Sequence, residues 1–431
     1  MTPAVGYTEM KDSGIEWVGE IPAHWTTIAN KYVMRKKKRI CEKWKNQNVL
    51  SLTMNGVVVR DILNPVGKMP TTFDGYQFAY SGELLMCLFD IDVTPRCVGR
   101  VFCDGVTSPA YSCFQLNNHA DLGYYYYYYL MVDNTKELLH LAKNLRHSFT
   151  EEQLGMLKVP FPPFEEQSAI AAYLDIQCAK IDEIIAEAKA SIEDYKQWKA
   201  SIIYEAVTKG LDPNAEMKDS GIEWIGEIPK RWNTIRLKWL LSNPLQYGAS
   251  ETGVPYNAAL PRYIRITDIS MEGKLKNTEM LSLSEKSATG YILSDEDILF
   301  ARSGATVGKA FFYKKEYGRA AFAGYMIRAK INRNITLPKY VYFSTMSAGY
   351  ERWKETTMTQ ATIQNISAAR YNEYVIPVPS LKEQIEIVQF VERMNKKINE
   401  LISDKSELIA NLDTYKKALI YEVVTGKRRV C

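Results

Sequence analysis

Two stretches of the chain carry apolar residues at alternating steps of four and three. The first reads Ile170, Leu174, Gln177, Ile181, Ile184, Ala188, Ser191, Tyr195, Trp198 and Ile202. The same positions 217 residues later read Ile387, Val391, Met394, Ile398, Leu401, Lys405, Leu408, Leu412, Tyr415 and Leu419. A seven-residue apolar repeat held this long predicts a coiled-coil seam. It predicts helices over about 165–207 and 382–424, each about 65 Å long at 1.5 Å per residue. Prolines stop the preceding strand in both places (Pro160, Pro162, Pro163; Pro377, Pro379), and Ser380 with Glu383 makes an S-x-x-E capping box. A seam of this length exceeds what one domain of about 150 residues covers, so the two helices are expected to cover each other.

Between the helices the polar and apolar pattern repeats. Residues 10–25 read MKDSGIEWVGEIPAHW and residues 217–232 read MKDSGIEWIGEIPKRW, thirteen of sixteen positions being identical. The helix starts PFPPFEEQ and PVPSLKEQ, from Pro160 and Pro377, and the helix ends IIYEAVTKG and LIYEVVTGK align in the same way. The chain therefore divides into a block at 10–159, a helix at 160–210, a block at 217–376 and a helix at 377–427. Short apolar runs bounded by Gly, Pro, Asp and Ser (Leu84–Phe89, Gly99–Cys103, Ile298–Ala301, Ala310–Tyr313) predict strands. The tyrosine run Tyr124–Tyr129 has strand propensity, but its place before KELLHLAKNL favours helix. The fold class is α/β: two mixed α/β domains separated by two long antiparallel helices, with an internal pseudo-two-fold repeat.

Composition narrows the classes. At 431 residues the chain holds two or three domains, and no apolar run nears the roughly 20 residues of a membrane span. The polar start MTPAVGYTEMKD does not read as a signal peptide. Seven scattered cysteines with no C-x-x-C pair point to free thiols in a reducing, cytoplasmic setting, and against a disulfide framework or structural zinc. The net charge of +4 announces no nucleic acid, so any basic footprint must be local.

No catalytic constellation emerges. Gly304–Lys309 (GATVGK) has one residue too few between its glycines for a phosphate-binding P-loop, and Ala310 stands where Ser or Thr should follow. It reads either as a hairpin whose backbone approaches a phosphate or as a simple tight hairpin. Phe161-Pro162-Pro163-Phe164 lacks the leading Asn or Asp of an amino-methyltransferase tetrad, and Asn243-Pro244-Leu245-Gln246 lacks the second proline and the aromatic. The four histidines (24, 119, 140 and 147) have no H-x-x-x-H spacing. What remains is polar surface chemistry. The basic run Arg35–Arg39, including Lys36, Lys37 and Lys38, suits a DNA backbone or a solvated strand edge. The second block offers Arg302, Ser303, Thr306 and Lys309, then TMTQATIQNIS with Gln360, Thr362 and Gln364; Gln pairs well with adenine edges and Thr with the thymine methyl. The first block has Arg96 and Arg100 in DIDVTPRCVGR and Arg146 in NLRHSFTEE at the matching places.

The doubled MKDSGIEW(V/I)GEIP, the P-x-P-x-x-E-Q helix starts, the two helix ends and the RSGATVGK…TQATIQNIS pair together resemble the DNA-specificity subunit of type I restriction-modification systems. The first block departs from that pattern by lacking the R-S-G-A-T-x-G-K loop. The resemblance implies a non-catalytic chain with two target-recognition domains, each reading half of a bipartite, asymmetric site on double-stranded DNA. It implies docking of two modification subunits, which use S-adenosylmethionine to methylate adenine N6, and of two restriction subunits using ATP and Mg2+. No cofactor is expected in this chain, and no membrane. A coiled-coil interaction scaffold without DNA readout is the alternative. A self-contained methyltransferase-nuclease is disfavoured by the missing motifs.

Overall fold

A computed structural model describes residues 6–430 except 66, 68, 93, 95, 143–147, 271, 272, 305 and 359–364. The chain divides into two compact units, Met1–Lys189 with Ser406–Cys431, and Ala190–Lys405. Both long helices, Phe164–Thr208 and Leu381–Val424, are therefore shared between the units. Each unit contains one block, the start of one helix and the end of the other.

The repeated opening folds the same way in both units. Met10–Asp12 pairs with Glu20–Pro22, and Met217–Asp219 with Glu227–Pro229. The D-S-G turn follows from its side chains: Asp12 and Asp219 accept the amides of Gly14 and Gly221 at 2.9 Å, and both glycines take positive φ. The hairpin delivers a fully buried tryptophan, Trp25 or Trp232, to the start of a long helix.

In the first unit the Trp25 indole donates to Glu166 at 2.8 Å near that helix start, while Gly426, just past the end of the other helix, also packs against Trp25. Further along the same pair, Lys416 meets Asp182. The second unit repeats the arrangement with Trp232, Glu383, Gly210, and Lys199 donating to Asn399. Within each unit the two helices thus run antiparallel. Tyr124 donates to the carbonyl of Val424 and Tyr340 to that of Val207, so each block anchors on the end of the helix that does not start beside it.

The helix seam differs from the strict heptad reading. Ile170, Leu174, Ile181, Ile387, Val391, Ile398 and Leu419 are buried, and Tyr195, Ile202, Met394 and Leu412 partly so. Ile184, Trp198, Leu401, Leu408 and Tyr415 are exposed instead. Their neighbour Ile185 is buried, and Ile402 and Ile409 partly so; Cys178 is buried beside Gln177, while Ala188 is buried where the heptad placed it. The inward positions recur about every 3.6 residues, the period of a straight helix; a 3.5-residue pattern drifts about 20° per heptad against it.

Each block leaves and returns through one two-stranded ribbon: Thr26–Ala29 with Lys158–Phe161, and Asn233–Arg236 with Val375–Val378. Beyond the ribbon both units build a four-stranded antiparallel sheet. In the first unit its order is Val98–Arg100, Leu84–Met86, Ser112–Leu116, Met34–Lys37. In the second it is Ala310–Phe312, Ile298–Ala301, Met326–Ile331, Leu241–Tyr247. The second sheets differ in strand number, five against four, but each contains one parallel pair. The tyrosine run is helical, Leu122–Thr135, capped by the Asp121 side chain. Buried Gln167 accepts the Asp121 amide and donates to the Pro162 carbonyl; buried Gln384 does the same with Leu337 and Pro379. That accounts for the Gln of the E-Q pair: it satisfies polar groups no helix can satisfy for itself. No described helix is long and apolar enough to cross a membrane.

Candidate nucleic-acid interface

In the second unit the loop 302–309 joins the paired strands Ile298–Ala301 and Ala310–Phe312. The Ala301 amide donates to Lys309 O and the Gly308 amide to Ala301 O, both at 2.8 Å, closing the loop as a tight hairpin. Gly308 has φ +83°, and a Cβ there would lie 2.3 Å from the Lys354 side chain, so glycine suits both backbone and space. The amides of Arg302, Val307, Gly308 and Lys309 all donate within the protein. These four amides are committed and cannot also wrap a phosphate.

Arg302 sits at the junction. Its guanidinium lies 4.9 Å over the Tyr247 ring, and its Nε donates to Asn365 Oδ1 at 3.4 Å. The Ile366 amide donates to Arg302 O, and Ser303 bridges to Asn365. The arginine loop and the end of the Thr- and Gln-rich stretch are thereby brought together. Tyr325, whose carbonyl accepts the Arg302 amide, is 68% exposed beside them. Ser303, Thr306 and Lys309 are partly buried, and the Thr306 hydroxyl has no hydrogen-bond partner among the described residues. Gln360, Thr362 and Gln364 lie outside the described residues. Tyr247, Tyr325 and Asn365 were missed in the sequence because strand pairing, not local spacing, gathers them. Arginine, amide and phenol groups can hydrogen-bond and stack on a base or phosphate, but no paired nucleophile and base accompanies them here. No cluster of His, Cys, Asp or Glu among the described residues could hold a metal ion.

In the first unit the basic run forms an edge strand. Arg35, Lys36 and Lys37 pair with Gln115, Phe114 and Cys113. Arg35 and Lys38 are exposed; Lys36 and Lys37 are half-buried, with Lys36 Nζ 3.7 Å from Glu151. Lysines on an exposed edge also discourage pairing with a foreign strand. Arg39 is held by Glu83 at 2.8 Å and over Tyr80. Arg96 is half-buried in the loop joining Leu84–Met86 to Val98–Arg100, and Arg146 lies outside the described residues.

Arg100 is engaged within the protein. It donates twice to Asp175 on the first long helix, at 2.7 and 3.1 Å, and stacks on Tyr126 and Tyr127. Burial opposes the Asp175 charge, but hydrogen bonds from Arg100 and Tyr127 prevail and hold its carboxyl below the usual range. A fork bound to a carboxylate in this way ties the sheet to the helix.

The family described as type I restriction modification DNA specificity domain matches residues 29–194 and 257–411. The chain is 23% identical over 278 residues to the type I restriction enzyme EcoKI specificity subunit of Escherichia coli (strain K12), covering 63% of this chain and 58% of that protein. It is 25% identical over 280 residues to the MjaVIII specificity subunit of Methanocaldococcus jannaschii, covering 64% and 63%. It thus spans less than two thirds of the length of these relatives. A solved chain described under "Structural basis underlying complex assembly and conformational transition of the type I R-M system" superposes with TM-score 0.70 at 14% identity, over 94% of this chain and 98% of that one. That likeness is one of fold.

Proposed function

The chain belongs to the type I restriction modification DNA specificity family, and we propose that it reads a bipartite, asymmetric DNA site, one half through each block. The observation that carries the reading is the repeated four-stranded sheet, with one strand order in both units and unlike loops at the same place: 87–97 in one, 302–309 in the other. A shared frame with unlike tips suits two half-sites of different sequence. In the first unit Lys36 and Lys37 on the edge strand and Lys38 just past it, with Arg96 and Arg146, supply the positive side. In the second, Arg302, Ser303, Thr306, Lys309, Gln360, Thr362 and Gln364 do so, joined by Tyr247 and Asn365. The two blocks serve as target-recognition domains and the paired helices as the spacer. The chemistry resides in cytoplasmic partners: two modification subunits carrying S-adenosylmethionine, which methylate adenine N6, and two restriction subunits using ATP and Mg2+. Complex assembly is named for the structural relative, which supports this reading.

Genome-wide adenine methylation in cells with and without the chain tests it. A two-part methylated motif that disappears with the chain is expected; an unchanged methylome overturns it. The rival reading, a scaffold that binds only proteins, predicts no salt-dependent gel shift. DNA readout predicts a shift that weakens steeply as salt rises, because phosphate contacts release counterions.

A further inference from the structure

The first unit's loop 87–97 is held by a device absent from its sequence motif. The helix Leu122–Thr135 ends at Lys136, which takes the left-handed conformation (φ 54°, ψ 30°). Glycine or asparagine usually fills such a site, since a side chain there costs backbone energy. Lysine keeps its place at that cost, so its side chain has a use. Its ammonium donates to Asp133 Oδ1 at 2.8 Å and to the Thr94 carbonyl at 3.0 Å. Buried Asp133 uses its other oxygen to accept the Cys97 amide at 2.8 Å. One ion pair on the helix end thus grips both Thr94 and Cys97. Thr94 in turn caps the loop from within: its amide donates to Asp90 O at 2.9 Å, and its hydroxyl to Phe89 O.

Packing seats this loop: Leu88, Ile91 and Cys97 are buried in the unit's core. The Thr94 carbonyl and the Cys97 amide need polar partners that apolar side chains cannot offer, and the ion pair supplies both. Its bonds are directional where apolar packing is not.

We propose that Asp133 and Lys136 are positioning residues for DNA selectivity: together they set the shape of the 87–97 loop and so the bases its half-site accepts. This rests on the reading of that loop as a DNA-contacting surface. Neither residue need touch DNA. Lys136→Gly separates the two roles of the lysine, because it relieves the left-handed backbone while deleting the ammonium.

The test is adenine methylation mapped genome-wide in cells carrying the full chain with its partner subunits. Lys136→Gly should melt at or above the parent temperature. It should lose about tenfold to a hundredfold of base discrimination at positions in one half-site, with the other half unchanged. Lys136→Arg, which keeps a cationic donor, should restore the parent motif. If Lys136→Gly does not accumulate, Asp133→Asn replaces it: the amide oxygen still accepts from Cys97 while the charge facing Lys136 is gone. A parent motif from these variants, alongside an altered motif from Arg96→Ala, overturns the clamp and leaves the loop as reader. A parent motif from Arg96→Ala as well overturns the loop's role and the clamp with it.

Discussion

The loops 87–97 and 302–309 occupy the same place in two sheets of identical strand order, yet they are fixed by different physics. The second-unit loop is short, carries Gly304 and Gly308 at positive φ, and closes by backbone hydrogen bonds; the Tyr350 hydroxyl adds one to Gly308 O. The first-unit loop contains no glycine; buried Leu88, Ile91 and Cys97 seat it, and an ion pair at a helix end pins Thr94 and Cys97. Hairpin closure by backbone bonds fixes the base of a loop whatever side chains it carries. A side-chain clamp leaves the loop shape dependent on two residues distant in sequence. A common scaffold can therefore keep its strands while changing both what a tip presents and how the tip is held.

The comparison breaks most completely if residues 30–155 are exchanged for another such block. Because the block leaves and returns through the paired ribbon Thr26–Ala29 and Lys158–Phe161, the exchange should replace one half of the methylated motif and retain the other. An unchanged motif in methylation mapping would refute the assignment of one block to one half-site. Next, the two arginines flanking the loops should part company. Arg302→Ala should weaken DNA binding by about 1–3 kcal/mol in gel shifts with little loss of stability. Arg100→Ala should lower stability by about 1 kcal/mol, read from urea midpoints, and leave the motif alone. Equal effects on binding would erase the distinction between a reading and a tying arginine. Gly308→Ala should destabilise by about 1–2 kcal/mol through left-handed strain, an effect with no counterpart in the glycine-free loop.

The smallest effect concerns acid. Burial works against the charges of Glu166 and Glu383, but Trp25, His24 and Tyr7 around the first, and Arg231, Trp232 and Ser380 around the second, hold both below the ordinary value of 4.5. A carboxylate depressed in the folded state contributes stability that is complete above its unfolded value and lost as pH falls through the folded one. Glu166→Gln and Glu383→Gln should therefore each flatten the fall in stability below about pH 4.5. Urea midpoints measured across that range would show it; curves as steep as the parent's would remove the tryptophan–glutamate ties from the account.

Much of the architecture was legible in the residues alone. Local pattern encodes it: an apolar period predicts a helix, a D-S-G turn predicts a hairpin, and a duplicated string predicts two equivalent units. The strands at Leu84–Met86, Ile298–Ala301 and Ala310–Phe312 fall inside the runs that predicted them. The helix seam was legible only approximately. The strict heptad placed Ile184, Trp198 and Leu401 inward, whereas a straight helix turns them toward solvent.

The candidate site was less legible, because side chains far apart in sequence, 63 residues for Arg302 and Asn365 and 75 for Arg100 and Asp175, meet only in the folded chain. Arg302 with Tyr247 and Asn365 depends on the register of the second unit's sheet. Arg100 with Asp175 depends on how the first sheet packs on its helix. The residue types alone determined the repeat, the helices and the turns, since those energies act between near neighbours. Which arginine meets a carboxylate and which meets an amide and a ring was decided by tertiary structure, because a charge is taken up by whatever group the folded chain brings within a few ångströms.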